Sequence, residues 1–367
     1  MAHPDLLIVG GGIIGCSAAA FAAERGASVV VVEANEIGAG ASGRNSGVVQ
    51  HPFDPVLAPL HEATLEHYRT LADGGFRFPA EPAGLLLLTD DEAAGHARVA
   101  ELNASEPSLA AAFLDEPALR QREPMLGAGL SAVLLATGYP IPPHAATQAM
   151  AARAQRAGAE LRVGERVTAV GRDRSARLAD GSRLDAGTVL VAAGPWSAEL
   201  LDPSGTWRPI RPTYGVTVQV ALSPTPASVL EEGAVHTVNR PVAEDEPDDG
   251  LFSFSMVTAG GVSTVGSTFL PTAPDPQALA TRLVDHGARF VPALASASIV
   301  RSRVCARPQS VDGRPFIGPI HGWDRVFVAA GHGPWGISTG PASASLIIAH
   351  LLEGEPIPPA LAASRRV

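Results

Sequence analysis

The chain has 367 residues, of which 46% are hydrophobic and 17% charged, and its formal net charge is −10. This composition predicts a globular protein with a substantial core and excludes a disordered chain. The acidic balance and the absence of a basic stripe argue against nucleic acid as a partner. Lysine does not occur in the sequence, which excludes chemistry that needs a lysine Schiff base or a lysine beside a cofactor.

Cysteine and histidine usage predicts neither a disulfide framework nor a metal site. The two cysteines, Cys16 and Cys305, are too few for a framework, and the histidines lack ligand spacing. No charged leader with an apolar run precedes the first strand, and apolar runs such as residues 345–352 are too short to span a bilayer. We therefore expect a cytoplasmic protein with no bound metal and no integral membrane segment.

The N-terminal part of the chain follows the order strand, glycine-rich turn, helix, strand, acid. An apolar strand is followed by Gly10, Gly12 and Gly15 in GxGxxG spacing, and a second apolar strand ends at Glu33. The first glycine makes the tight turn, the second admits a pyrophosphate, and the third lets helix and strand pack closely. Glu33 can accept ribose hydroxyls and would repel a 2′-phosphate. The order predicts binding of an adenine dinucleotide other than NADP.

Two later segments, residues 38–43 and 331–336, also match GxGxxG. Neither is followed by a second strand and a ribose-binding acid, so neither is predicted to form a second dinucleotide site. We interpret the later one as a loop and helix N-terminus whose backbone N–H groups face a bound ligand.

Hydrophobic periodicity and turn residues predict the elements that follow the first βαβ unit. In chain order these are a helix over 56–72, a strand over 85–89, a helix over 90–102, a strand over 131–137, a helix over 144–157, strands over 161–170, 176–178, 188–193, 214–221, 251–257, 261–267 and 325–330, and a helix over 339–352. A nucleotide-binding domain is thereby assigned to residues 1–78, 140–208 and 300–367. A β-rich substrate domain is assigned to residues 79–139 and 209–299.

These motifs together resemble the D-amino acid oxidase superfamily of FAD-dependent oxidoreductases, and most closely its glycine oxidase and sarcosine oxidase branch. The resemblance rests on residues 9–15 with Glu33, and on residues 40–47, 192–197, 307–315 and 331–333. It implies an α/β fold (α+β overall). In that fold a Rossmann-like FAD-binding domain is built from discontinuous segments, and an antiparallel-sheet substrate domain is inserted into it.

The resemblance also implies where FAD would be held. Gly10, Gly12 and Gly15 would hold the pyrophosphate, and Glu33 the adenosine ribose. The other implied contacts are Ser42, Arg44, Asn45, Ser46 and Gly47 at the pyrophosphate and flavin edge, Val167 at the adenine, Ala193 and Gly194 along the ribityl chain, and Gly331, Gly333, Gly336, Ile337 and Thr339 at the pyrimidine end of the flavin. In this last turn a helix dipole would stabilise negative charge on the reduced ring.

For the substrate, the resemblance implies that Arg307 grips a carboxylate. A guanidinium is planar and always charged, and it can donate two hydrogen bonds to one carboxylate. The alternative reading is a structural arginine. Arg240 is a candidate for a second carboxylate, Tyr214 for the pocket wall, and His51 for a contact to substrate or flavin.

Cys305 matches the position at which sarcosine oxidases bond a cysteine to the flavin. Those enzymes also use a lysine near the flavin, and this chain has none. We therefore expect non-covalent FAD and an unreactive buried thiol, with a covalent link at Cys305 as the alternative.

The implied reaction is oxidation of the C–N bond of an amino acid or secondary amine by hydride transfer to flavin N5. Glycine-type substrates, N-substituted glycines and, if two arginines face the pocket, N-carboxymethyl amino acids are expected to give an imine that hydrolyses to an oxo acid such as glyoxylate plus an amine. Oxygen or another acceptor would take the electrons. One alternative is a FAD-dependent 2-hydroxy-acid dehydrogenase that reduces a quinone or flavoprotein, and another is a non-catalytic nucleotide-binding subunit. A homo-oligomer and a hetero-complex are both compatible with this resemblance.

Overall fold

The computed structural model describes residues 3–71, 75–233 and 252–366. The strands are β1 (Leu6–Val9), β2 (Val29–Glu33), β3 (Val48–Val49), β4 (Leu85–Thr89), β5 (Ala112–Leu114), β6 (Ser131–Leu135), β7 (Tyr139–Pro140), β8 (Glu160–Val163), β9 (Val167–Gly171), β10 (Ser175–Leu178), β11 (Arg183–Asp185), β12 (Thr188–Val191), β13 (Ile210–Ala221), β14 (Val229–Glu232), β15 (Phe252–Ala259), β16 (Val262–Thr268), β17 (Ser298–Ser310), β18 (Phe316–Pro319) and β19 (Val326–Ala330). The helices are α1 (Ile13–Glu24), α2 (Ala41–Arg44), α3 (Ala58–Arg69), α4 (Glu92–Ser105), α5 (Glu116–Arg122), α6 (Pro143–Arg156), α7 (Ser197–Leu201), α8 (Pro276–Ala288) and α9 (Gly336–Glu353).

A six-stranded sheet in the order β18-β19-β12-β1-β2-β8 forms the nucleotide-binding half. All its pairs are parallel except β18–β19. Both faces are buried, which explains the unbroken apolar runs of its strands. In β1, Leu6 and Ile8 pack into a core shared with α1 and α9. Leu7 and Val9 pack on the other face, against the three-stranded sheet β11-β10-β9.

The second large sheet has eight strands in the order β17-β13-β16-β15-β14-β4-β6-β5. Its pairs are antiparallel except β14–β4. Side chains alternate between its two faces, as in every strand. In β13, Val216, Val218 and Val220 point into a core that is closed by α8. Thr217 and Gly215 therefore point to the opposite face, which is the one that meets the cavities described below.

Most predicted elements are confirmed to within a few residues, and the α/β class with a Rossmann-like half is confirmed. The single strand predicted over 161–170 is wrong, because Gly164 (φ 84°) breaks it into β8 of the parallel sheet and β9 of the three-stranded sheet. Hydrophobic periodicity did not predict α8 or the long edge strand β17. Residues 300–310 were assigned to the nucleotide-binding domain, yet they lie in β17 and pair with β13. None of the helices among the described residues has the length and hydropathy of a membrane span.

Candidate active site

A cavity of about 1120 Å³ opens where the parallel strands β1, β2, β12 and β19 end. Its lining includes one residue from each strand end: Gly10 after β1, Glu33 in β2, Ala193 after β12 and His332 after β19. Parallel sheets bind nucleotides in the crevice at the carboxyl ends of their strands. The volume slightly exceeds the ~300–1,000 Å³ of ordinary ligand pockets, so it suits a large ligand.

The glycine cradle of this cavity depends on the absence of side chains. Gly10 has a φ of 111°, and a Cβ there would lie 2.5 Å from the carbonyl oxygen of Ala192. A Cβ on Gly15 would lie 1.9 Å from the Gly10 oxygen, so α1 can pack onto the turn only without one. Gly12 precedes the first turn of α1 and lines the cavity. A Cβ on Gly12 would lie 3.0 Å from Ser42 Oγ.

Glu33 is fixed by two backbone donors at the end of β2. The Gly11 N–H donates to Oε2 at 2.7 Å, and the Asn35 N–H donates to Oε1 at 2.8 Å. Each carboxylate oxygen has a further lone pair, so the side chain can still accept hydroxyl groups from a ligand in the cavity. Val167 lines the same cavity from β9.

Helix α2 and the residues after it form the wall that faces α1. Ser42 Oγ accepts a hydrogen bond from the Ile13 N–H in the first turn of α1, at 2.9 Å. The Asn45 amide donates to the carbonyl oxygens of Ala41 (3.0 Å) and Ser42 (2.9 Å), and its Oδ1 accepts from the Gly47 N–H (2.9 Å). This wall is therefore fixed by its own hydrogen bonds.

Most residues predicted to contact FAD lie around this cavity. Those that line it are Gly10, Gly12, Glu33, Ser42, Arg44, Asn45, Val167, Ala193, Gly194, Gly333, Gly336 and Ile337. Ser46 lines the adjoining cavity instead. Gly15, Gly47, Gly331 and Thr339 line neither cavity. Of these, Gly331 supplies a turn with φ 94°, and the buried Thr339 hydroxyl donates to the carbonyl oxygen of Trp335.

His332 was missed by the sequence analysis, although it lies inside the last glycine motif. Its ring is fully buried, and its Nε2 lies 3.0 Å from the hydroxyl of Ser343. Its Nδ1 has no hydrogen-bond partner in the structure, although the residue lines the cavity. Burial lowers the pKa of His332 to about 3, so the ring is neutral. An unpartnered buried nitrogen is a group that a polar ligand can satisfy.

A second cavity, of about 440 Å³, adjoins the first. The two share lining residues, among them Asn45, Cys305, Arg307 and Ile337. The eight-stranded sheet contributes polar side chains to the second cavity from β13, β14, β15 and β16. The first cavity therefore has the size and glycine lining for a dinucleotide, and the second has room for a small molecule beside it.

Arg307 lies where the two cavities meet. Its Nη1 donates to the carbonyl oxygen of Thr268 at 2.7 Å, and its Nη2 donates to the hydroxyl of Ser267. The guanidinium carbon lies 4.5 Å from the ring centre of Phe269. No carboxylate among the described residues forms an ion pair with it. Burial lowers the pKa of Arg307 from its ordinary value, which is the electrostatic sign of a cation that lacks a counter-ion.

The guanidinium has room because residue 215 is a glycine. Gly215 lies on β13 beside Arg307, and a Cβ there would come within 2.2 Å of Nη2 and 2.4 Å of Cζ. The sequence analysis missed this residue, because its role follows from the pairing of β13 with β17 and not from any local motif.

The remaining predicted substrate residues do not line the second cavity. Tyr214 lines neither cavity, and it neighbours Gly215 on a strand whose successive side chains alternate between faces. The buried His51 also lines neither cavity. Its Nδ1 accepts from the Phe53 N–H, and its Nε2 lies 3.6 Å from Glu106 Oε2. Burial lowers the pKa of His51 as well. Arg240 lies outside the described residues.

Two polar residues that the sequence analysis did not consider line the second cavity. Glu231, on β14, accepts a hydrogen bond from Gln50 Nε2 at 3.0 Å. Burial raises the pKa of Glu231 to about 7, and the hydrogen bond from Gln50 opposes that shift. The adjacent carboxyl of Glu232 is held differently, by His286 Nε2 and the Phe254 N–H, and these contacts keep its pKa below the ordinary value.

Cys305 lines both cavities, with 3% of its surface exposed. Its sulfur lies 4.0 Å from the carbonyl oxygen of Ala41. Burial raises the pKa of the thiol, although Arg307 and Arg303 act against this shift. A thiol with a raised pKa is a poor nucleophile.

Comparison with known proteins agrees with this geometry. Residues 5–350 match the DAO family, described as FAD dependent oxidoreductase, and the chain therefore belongs to that family. It is 28% identical over 371 residues to a glycine oxidase of Pseudomonas putida, with 96% of each chain covered. The crystal structure of glycine oxidase from Geobacillus kaustophilus matches with a TM-score of 0.84 at 25% identity, over 100% of both chains.

A third comparison concerns the fold alone. The crystal structure of iminodiacetate oxidase from Chelativorans sp. BNC1 matches with a TM-score of 0.79 at 24% identity, over 97% of this chain and 98% of that one. The family and the glycine oxidases establish that this chain is a FAD-dependent oxidoreductase. The cradle without side chains and the unpartnered nitrogen of His332 fit that cofactor.

Gly215→Ala should displace the Arg307 guanidinium, since the new methyl group would lie within 2.4 Å of it. We expect the dissociation constant of a small carboxylate to rise at least about tenfold, the value of one hydrogen bond to a charged group. FAD content should remain unchanged. The measurement is a carboxylate titration followed by flavin absorbance, with Arg307→Lys as the matched variant. Unaltered carboxylate affinity in Gly215→Ala would show that Arg307 does not bind the carboxylate.

Glu231→Gln should stabilise the protein, and more so at high pH. A carboxyl whose folded pKa is raised from 4.5 to about 7 makes folding less favourable as pH rises through that window. We expect a gain in Tm that is larger at pH 8 than at pH 5. Glu232→Gln is the matched control, and because the folded pKa of Glu232 is lowered it should lose Tm at pH 8. Equal Tm changes for Glu231→Gln and Glu232→Gln would contradict the opposite pKa shifts of these two carboxyls.

Proposed function

Since the chain is a FAD-dependent oxidoreductase, we propose that it oxidises the carbon–nitrogen bond of a glycine-type amino acid or an N-substituted glycine. The observation that carries the proposal is the Arg307 guanidinium, which lies at the junction of the two cavities without a carboxylate partner among the described residues. A cation in that position calls for an anion from the ligand. The similarity to a glycine oxidase of Pseudomonas putida supports an amino acid as the source of that anion.

The protein's own contribution is orientation and electrostatics. Arg307 binds the substrate carboxylate, and Ser267 and Thr268 fix the guanidinium from behind. A substrate anchored in this way has its α-carbon held at the mouth of the cofactor cavity. FAD, when bound, supplies the hydride acceptor. The product imine hydrolyses to an oxo acid such as glyoxylate and an amine, and a side-chain acid or base is not required for the transfer.

Oxidation of N-carboxymethyl amino acids is a finer prediction, because these substrates have two carboxylates and require a second arginine without an ion-pair partner. Arg240 was the candidate, and it lies outside the described residues. Arg98 does line the second cavity, but Glu101 neutralises it with an ion pair of 2.8 Å. The described residues therefore favour substrates with one carboxylate over those with two.

The test of the proposed function is anaerobic reduction of the purified holoenzyme. We expect glycine, sarcosine or longer N-alkylglycines to bleach the flavin, and matched 2-hydroxy acids to leave it oxidised. Arg307→Lys keeps the charge and loses the two-pronged geometry, so it should raise KM by about tenfold or more, and Arg307→Gln should raise it further. Bleaching by 2-hydroxy acids alone would replace this proposal with the dehydrogenase reading. No bleaching by either class would reject both.

We also propose that FAD is held without a covalent bond, because burial raises the pKa of the Cys305 thiol. Acid precipitation of the holoenzyme should release the flavin into the supernatant. Cys305→Ser should retain FAD, since serine keeps the size of the side chain. Flavin that stays with the wild-type pellet and is lost from the Cys305→Ser pellet would establish the covalent link instead.

A further inference from the structure

We propose that Glu231 and Gln50 recognise an N–H donor group at the distal end of the substrate, such as an amine or a guanidine. This inference rests on the proposed function, because it takes the carboxylate of the substrate to be on Arg307. It narrows the substrate class to amino acids or N-substituted glycines that carry a cationic or amide tail.

The sheet register directs Glu231 into the cavity. Glu231 pairs with Ser255, Ser255 with Gly266, and Gly266 with Thr217, so these positions share one face. This is the face of the sheet opposite α8, and Thr217 and Ser255 line the same cavity as Glu231. The neighbour Leu230 points the other way, into the core beneath α8.

Glu231 and Gln50 together present acceptors that the protein leaves unsatisfied. Gln50 Nε2 donates to Glu231 Oε1, which leaves the amide oxygen of Gln50 as an acceptor. That oxygen is buried and has no hydrogen-bond partner in the structure. No cation among the described residues forms an ion pair with Glu231. The Gln50 oxygen, which lacks a donor, and the Glu231 carboxylate, which lacks a cation, together form a site for an N–H group.

The position of this acceptor pair favours the substrate tail over the reacting nitrogen. The guanidinium of Arg307 is held by Ser267 and Thr268 of β16, and β16 is two strand spacings from β14, which carries Glu231. At ~4.8 Å for each spacing this places the acceptor pair roughly 10 Å from the strand that holds the guanidinium. A carboxylate beside the reacting nitrogen would also stabilise the protonated amine, which cannot donate hydride. An elongated substrate can place its carboxylate on Arg307 and its tail on Glu231.

The raised pKa of the Glu231 carboxyl agrees with a site that binds a cation from the ligand. The other charged residues that line the cavity are Arg98, Glu101, Glu232 and Arg307. Arg98 and Glu101 form an ion pair with each other. Glu232 has its own partner in His286. Arg307 is assigned to the carboxylate of the substrate, so Glu231 remains as the residue for a second, positive group.

The test uses ligands that cannot be oxidised, so that it does not depend on catalysis. The holoenzyme is titrated with ω-aminocarboxylates of four to eight carbons and with the unbranched carboxylates of equal length, and binding is followed by flavin absorbance. We expect one chain length at which the ω-aminocarboxylate binds more tightly than the unbranched carboxylate of equal length. Glu231→Gln should reduce that preference roughly 10- to 100-fold, the value of a hydrogen bond to a charged group. Glu231→Gln should leave the affinity for the unbranched carboxylates unchanged.

Glu232→Gln is the matched control, since Glu232 is the next residue of β14 and its carboxyl is already held by His286 and the Phe254 N–H. It should keep the preference for the amine. The preference should also rise with pH through about 7 in the wild type, as Glu231 ionises, and should be flat in Glu231→Gln. An alkyl ammonium stays charged across this range, because its pKa is near 10.

Three outcomes would overturn the inference. The first is equal affinity for the ω-aminocarboxylate and the unbranched carboxylate at every chain length. The second is an equal loss of the preference for the ω-aminocarboxylate in Glu231→Gln and Glu232→Gln. The third is a loss of affinity for both kinds of ligand in Glu231→Gln. Failure of the proposed function looks different, because carboxylates would then bind without dependence on Arg307, or N-alkylglycines would bind and leave the flavin oxidised. The same pairs tested as N-(ω-aminoalkyl)glycines against N-alkylglycines extend the measurement to kcat/KM.

Discussion

The site is organised around one electrostatic constraint, a partly buried guanidinium between two cavities that has no carboxylate from the described residues to balance it. Arg307 is held by a hydroxyl, a carbonyl oxygen and an aromatic ring, and none of these carries a charge. A cation in such surroundings is costly unless an anion joins it. In the proposed function, the carboxylate of the substrate neutralises this charge, and this orients the substrate at the cofactor cavity.

The two sheets provide this constraint by different means. The parallel sheet is buried on both faces, so its function is concentrated at the strand ends, where glycines leave room for a dinucleotide. The eight-stranded sheet has one apolar face against α8, and its opposite face contributes polar side chains to the second cavity. Strand alternation thus builds a hydrophobic core and a binding surface from alternate residues of the same strands. Gly215 has no side chain on the face opposite α8, and this leaves room for the guanidinium of Arg307.

The nucleotide site could be predicted from the sequence, because its requirements are local. A positive φ at Gly10 and a close approach at Gly15 are properties of a short strand–turn–helix segment, and only glycine meets them. The substrate site depends on long-range pairing, which a single sequence does not display. Gly215 reaches Arg307 only through the register of β13 with β17.

Two of the predicted substrate residues are each one position away from a residue at the candidate site. The sequence predicted Tyr214 and His51, whereas their neighbours are the residues at the site: Gly215 adjoins the Arg307 guanidinium, and Gln50 lines the second cavity. Adjacent residues of an extended segment point to opposite sides, so one position decides between pocket and core. The position of Glu231 in the cavity could not be predicted for a related reason. Its strand, β14, pairs with β4, which is distant in sequence.

The central claim is that the free Arg307 guanidinium anchors the carboxylate of the substrate. A crystal structure of the FAD-loaded enzyme with a bound, non-oxidisable carboxylate tests it most directly. The account predicts both carboxylate oxygens on the guanidinium of Arg307, with the hydrogen bonds to Ser267 and Thr268 still present. A carboxylate bound elsewhere in the cavity, with Arg307 contacting only the protein, would contradict it.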